Sequence, residues 1–159
     1  MKAVEEEGQA SELNSLDGRF PYRLGTIYSE LAEQKLSIDQ RDLLLNQAAQ
    51  AYEQALHVDP YSPLNYMALA NIRVPQGRVE EAKSWLQRAV ATEPNFLPAR
   101  TLLAELSLKA GEHEAAQSEF DAIVAVKRKY EQGSLSNIER QFLDVDLSPL
   151  GRALALESK

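Results

Sequence analysis

The chain has 159 residues, of which 44% are hydrophobic, 26% charged and 7% aromatic, with no cysteine. These values fit one compact domain with an ordinary core, and they exclude wholesale disorder, a disulfide scaffold, a thiolate metal site and a cysteine nucleophile. Lys plus Arg of 17 against Asp plus Glu of 24 leaves a net charge of −7, a field that repels phosphate backbones and argues against nucleic acid or anionic lipid as a partner. No apolar run approaches the roughly eighteen residues of a membrane span, so no direct membrane insertion is expected. The opening MKAVEEEGQA lacks the basic flank and apolar stretch of a signal peptide.

The chain matches itself at a shift of 34 residues, which sets the phase for everything else. Leu69-Ala70 meets Leu103-Ala104, Gly77 meets Gly111, Glu80 meets Glu114 and Ala82 meets Ala116. Backwards, Ala82 falls on Ala48, Leu86 on Tyr52, Ala89 on Ala55 and Pro94 on Pro60. Small and large apolar residues alternating at one offset mark a structural repeat. Each unit reads as two helices that must stack on neighbours to bury both faces.

In chain order, residues 3–17 read as a half-unit, a second helix without its first, because steps of 15 and then seven back from Gly25 reach Ala10 and Ala3. Half a hairpin implies a fragment whose parent protein continues upstream. Glu5-Glu6-Glu7 on this helix reads as a solvated face. Residues 18–62 form the first full unit. There the step from Gly25 to Ala48 is 23, against 12 in the later units, an excess of 11 residues. Shared between two antiparallel helices, it lengthens each by about a turn and a half. Ser37 or Asp39 would cap the second helix, and the tip carries Leu31, Leu36, Ile38 and Leu43-Leu44-Leu45. These apolar residues are expected to pack on one another or on the next unit, with a projecting partner surface as the alternative.

The second unit spans 63–96, with Val79, Ala82, Leu86, Ala89 and Val90 on one helix face and a stop at Pro94. Pro75 should end its first helix early, ahead of the turn at Gly77. The third unit spans 97–130 and has Arg128 where a closing proline would fall, so its second helix runs on through Lys127–Tyr130 towards Gly133. Residues 131–159 read as a C-terminal cap on the last unit. Two helices are expected there: one over 136–143, with Ser136 as cap ahead of Ile138, Phe142 and Leu143, and one over 149–156, with Ser148 as cap and Pro149 in the first turn.

The series Tyr66…Leu69-Ala70…Gly77…Ala82…Leu86…Ala89…Pro94, with Leu24-Gly25…Tyr28 and Ala48…Tyr52…Ala55…Asp59-Pro60 upstream, resembles the tetratricopeptide repeat family over roughly residues 18–130. Arg73 departs from it, standing where the family commonly has an aromatic or aliphatic residue. The resemblance implies an all-α chain, a right-handed superhelical stack of helix hairpins (an α-α solenoid) with a C-terminal capping segment. It also implies a non-catalytic module that binds a protein or peptide along the concave groove lined by first helices. By phase, Arg19, Tyr22, Thr26, Met67, Asn71, Thr101 and Glu105 point into that groove. Only Asn71 suggests the Lys/Asn/Arg set with which chaperone-binding members clamp a C-terminal carboxylate, so an acidic tail is not the expected ligand. A second resemblance, in FPYRLGTIYSELA, DPYSPLNYMALANI and EPNFLPARTLLAEL, is to the C-terminal repeat tails of bacterial O-antigen ligase or polymerase membrane proteins. It implies the alternative role of a regulatory or assembly domain on an inner-membrane glycan enzyme.

Catalytic patterns are absent: there is no phosphate-binding glycine loop, and the two histidines, His57 and His113, have no motif partner. No catalytic residue, cofactor or metal is therefore expected. His57 reads as a helix C-terminal residue, Trp85 as a partly packed neighbour of Leu86, and Lys127-Arg128-Lys129 as a cation cluster favouring a helix C-terminus.

Overall fold

The computed structural model describes residues 2–13, 17–131, 143 and 145–157. Among them are eight helices and no strand: α1 (Lys2–Leu13), α2 (Arg19–Ala32), α3 (Ile38–Val58), α4 (Pro63–Arg73), α5 (Val79–Thr92), α6 (Leu97–Lys109), α7 (His113–Glu131) and α8 (Ser148–Glu157). The all-α expectation holds. The anticipated cap at Ser136, with Ile138 and Phe142, and the stop at Gly133 lie outside the described residues. The chain divides into two compact units, Met1–Trp85 and Leu86–Lys159, with the division inside α5.

In the first unit, α2 and α3 form an antiparallel hairpin whose contact is set by one glycine. A Cβ on Gly25 would stand 2.8–2.9 Å from three ring atoms of Tyr52. The missing side chain is what admits that ring. Around it, Ala32, Leu45, Ala48, Ala49, Leu69 and Ile72 form the buried core, with Tyr28, Leu44, Leu56 and Trp85 packed against it. Trp85 stacks on Tyr66 at a centroid distance of 6.0 Å, the structural packing expected of it. On α1, Glu7 departs from the expected solvated face: it is half-buried and pairs with Arg23 at 2.8 Å.

The extra residues of this hairpin are not shared equally between its helices. With 14 residues, α2 is only three longer than α4; with 21, α3 is seven longer than α5. The starting point of α3 decides this. Ser37 is its N-cap, Gln40 completes a capping box, and the chain between Glu33 and Ser37 makes the turn. Every residue from Glu33 to Leu43 is exposed. Of the tip's apolar residues, Leu45 is buried and Leu44 packs on the core, while Ile38 (79% exposed) and Leu43 (61%) face solvent.

The proline at 75 shortens α4 as expected. The helix closes through two backbone bonds, Arg78 N–H to Arg73 C=O and Gly77 N–H to Val74 C=O, each 3.0 Å, with Gly77 at φ +71°. This is a Schellman closure, and the left-handed residue it requires is the glycine. Arg73, the departure from the family pattern, is buried in a polar network. Its Nη1 donates to Gln76 Oε1 (2.9 Å), Gln76 Nε2 donates to Asn46 Oδ1 (3.1 Å), and Glu81 lies 3.5 Å from its Nε.

In the second unit, α6 closes the same way as α4. Glu112 N–H donates to Ser107 C=O at 2.9 Å and Gly111 N–H to Leu108 C=O at 3.0 Å, with Gly111 at φ +77°. Arg100 fastens the entry to this hairpin, donating from Nε to the Pro94 carbonyl (2.7 Å) and pairing with Glu119 of α7. As expected, α7 runs on through Tyr130, to Glu131. Helix α8 covers the hairpin: Leu150 and Leu154 pack with Ala104 and Ala116, and Phe120 touches the site where Gly151 lacks a Cβ. Its start differs from expectation. Ser148 is already helical, and the Asp146 carboxylate caps the helix, accepting the Ser148 N–H at 2.9 Å. That bond holds the Asp146 carboxyl below its ordinary range. Lys127 donates to the Val145 carbonyl at 2.9 Å, tying α7 to the segment ahead of α8.

Gly25→Ala pits two effects against each other. Ala improves helix propensity by about 1 kcal/mol, whereas overpacking a buried contact costs about 1–3 kcal/mol. Because the obstructing atoms belong to a buried aromatic ring, overpacking wins, and the urea midpoint should fall with an unchanged m-value. Ser37→Ala tests the tip. Losing the cap costs about 1 kcal/mol, but the residues it starts are exposed, so hydrogen-exchange protection in the first turns of α3 should drop while the thermal midpoint stays put.

Candidate functional site

Helices α2, α3 and α4 of the first unit enclose a cavity of about 380 Å³. Its floor is apolar and aromatic, made by Ala32, Leu45, Tyr52 and Ile72, residues that also belong to the core. Tyr22 and Thr26 on α2 form one wall, and Leu64, Met67, Ala68 and Asn71 on α4 form the other. One end is polar: Glu30 and Glu33 where α2 finishes, Arg41 in the first turn of α3, and Pro75 past the end of α4. Tyr22 and Leu64 also border a second cavity of about 480 Å³, lined by Arg19, Arg23, Asp59 and Asn65.

The wall on α2 is held in place from below. Tyr22 meets Tyr52 edge-on, with centroids 5.4 Å apart, and Thr26 Oγ1 lies 3.3 Å from the Tyr52 hydroxyl. Thr26 Oγ1 also donates to the Tyr22 carbonyl at 3.1 Å. Burial, and then the neighbouring Tyr52, raise the Tyr22 phenol above its ordinary value. Arg19 is clamped by Asp17, Nε at 2.9 Å and Nη2 at 2.6 Å, which raises the guanidinium pKa and lowers the Asp17 carboxyl to about 2.

Of the residues expected in the groove, Tyr22, Thr26, Met67 and Asn71 come together at the first cavity, and Arg19 borders the second with Tyr22. Thr101 and Glu105 lie on α6, in the other unit. Glu105 is exposed, whereas Thr101 is half-buried, with its Oγ1 shielded from solvent and unpartnered among the described residues. Glu30, Glu33, Arg41 and Pro75 also line the first cavity, and helical phase does not point to them. One signal was available. Two carboxylates at the end of a helix oppose its dipole, and α2 has no basic residue in its last turn.

The cavity is lined by apolar surface, by the hydroxyls of Tyr22, Thr26, Ser29 and Tyr52, by the Asn71 amide and by the charged groups of Glu30, Glu33 and Arg41. Among the described residues no group of three or more His, Asp or Glu side chains could hold a metal, and no helix is long and apolar enough to cross a membrane. His57, in the last turn of α3, and His113, at the start of α7, are exposed.

Comparison with known proteins places this geometry. The tetratricopeptide repeat family model matches residues 45–96 and 76–134. A tetratricopeptide repeat and J domain-containing co-chaperone, DNJ1 of Cryptococcus neoformans var. grubii, is 31% identical over 91 residues. That match takes in 57% of this chain and only 17% of the co-chaperone's length. Among solved structures, the thermophilic TPR protein TTC0263 of Thermus thermophilus superposes with a TM-score of 0.70 at 18% identity, over 96% of this chain and 71% of that one. The first TPR of Spaghetti (RPAP3), bound to the HSP90 peptide SRMEEVD, superposes with a TM-score of 0.52 at 16% identity, over 84% of this chain and 95% of that one. The structural likenesses show the fold; the family match, over more than half of the sequence, shows that the chain belongs to the tetratricopeptide repeat family.

Proposed function

We propose that the chain is a protein-interaction module that acts by binding and not by catalysis, and that the first-unit groove between α2 and α4 receives an extended peptide or a partner helix. The observation that carries this is the cavity itself. An apolar floor fixed by the Gly25–Tyr52 contact is flanked by an adaptable thioether at Met67 and hydrogen-bonding groups at Thr26 and Asn71. Kinship supports it: the family match, the co-chaperone relative and a structural neighbour carrying a bound peptide all belong to proteins that work through partners. The exposed tip at Glu33–Leu43 and the α6 residues Thr101 and Glu105 are further surface that a partner could use.

Attachment to an O-antigen ligase-like parent is a separate proposal about context, supported by the three segments quoted above. Several long apolar spans in the parent sequence upstream would favour it; further 34-residue units would favour a free scaffold.

The test is to pan a displayed dodecapeptide library against the chain and titrate the selected peptides. Tyr22→Ala with Asn71→Ala should weaken binding about tenfold or more, with the helical circular dichroism retained. Equal binding by variant and parent chain would move the site to the projecting hairpin or to another face.

A further inference from the structure

Three features meet at the polar end of the groove, and all have the same electrical sign. Glu30 and Glu33 stand in the last turn and at the C-cap of α2, where the helix already presents its negative end. Among the described residues, neither carboxylate has a hydrogen bond or an ion pair. Pro75 has no N–H to give to the Asn71 carbonyl one turn back, so that oxygen, at a residue lining the same cavity, lacks its helical donor and has no other partner among the described residues. Arg73, the cation in the last turn of α4, is engaged with Gln76 and Glu81 and does not line the cavity. The single cation on the lining is Arg41, also without a partner among the described residues. The floor beneath these groups is apolar.

Resting on the groove reading above, we infer that the occupant is an extended segment carrying Lys or Arg among apolar residues. Its aliphatic stems lie on Leu45, Ile72 and the tyrosines, and its cationic head sits between Glu30 and Glu33. A long basic side chain suits this geometry because its stem is apolar and its head is charged. The unpaired Asn71 carbonyl accepts a donor, either a backbone N–H of the segment or the head group. Arg41 competes with the ligand for the same carboxylates. The net charge of −7 attracts such a segment at long range and repels acidic ones.

The same dodecapeptide selection supplies the test, read for charge. Selected peptides should be enriched in Lys and Arg over Asp and Glu relative to the starting library. For a selected peptide, Glu30→Gln with Glu33→Gln, both at exposed positions, should weaken binding about tenfold, as expected for two partly desolvated charge pairs. Arg41→Gln should strengthen it, and about 0.5 M salt should weaken it. If the selected peptides are acidic or uncharged, yet lose binding with Tyr22→Ala and Asn71→Ala, the groove stands and the basic ligand class is overturned. If binding withstands loss of both carboxylates while the circular dichroism is unchanged, the class is overturned as well. If the library yields no binder, both readings fail together.

Discussion

The approach of α2 to α3 at Gly25 is the contact on which the first unit depends. A buried tyrosine ring occupies the space a single methyl would fill, so the two backbones come closer than side chains on both would allow. That proximity brings the Tyr52 hydroxyl to Thr26 and its ring edge to Tyr22. It therefore orients one wall of the cavity as well as sealing the core. Packing and recognition share atoms here: the face of Tyr52 that completes the interior is continuous with the floor a ligand would touch. Contacts that fix a wall in advance reduce the entropy that the proposed association would cost.

Residues that break local rules gather at one end of that groove. Pro75 truncates a helix, Glu30 and Glu33 oppose a dipole, and Arg73 puts a charge among core positions. The charge of Arg73 is paired within the fold with Glu81, and its Nη1 bonds Gln76, although its buried Nε has no hydrogen bond among the described residues. The other three have no such pairing, and they line the cavity. Foldable sequences are expected to be locally consistent except where function demands otherwise. That separation between residues paired within the fold and residues left unpaired is the pattern on which the proposed basic ligand rests.

The repeat was legible because its sequence period is its packing period. Leu69, Ala70, Ala82, Leu86, Ala89, Ala104 and Ala116, all read from one 34-residue offset, are all buried. Early closure of α4 at Pro75 and the capping of α3 by Ser37 were equally local and equally readable. What escaped was long-range or terminal. Asn46 bonds Gln76 across 30 residues, a link no periodicity predicts. The division of the 11 extra residues was set by where a capping box happened to start α3. Helical phase, applied to first helices, found Tyr22, Thr26, Met67 and Asn71, but not Glu30 and Glu33, which come from the end of α2, nor Arg41, which comes from a second helix. The family match begins at residue 45, where the exposed tip gives way to buried chain.

The two glycine closures, at Gly77 and Gly111, are built from backbone bonds alone, and no atom outside their immediate neighbours lies within 4 Å of where either Cβ would be. Their requirement is a left-handed dihedral and nothing more. The flanking residues are thus free to drift without disturbing how one helix hands over to the next. Such a joint transmits direction but carries no information about partner or neighbour. Helices joined in this way can diverge in their exposed residues while keeping a common frame, so specificity can change one helix face at a time.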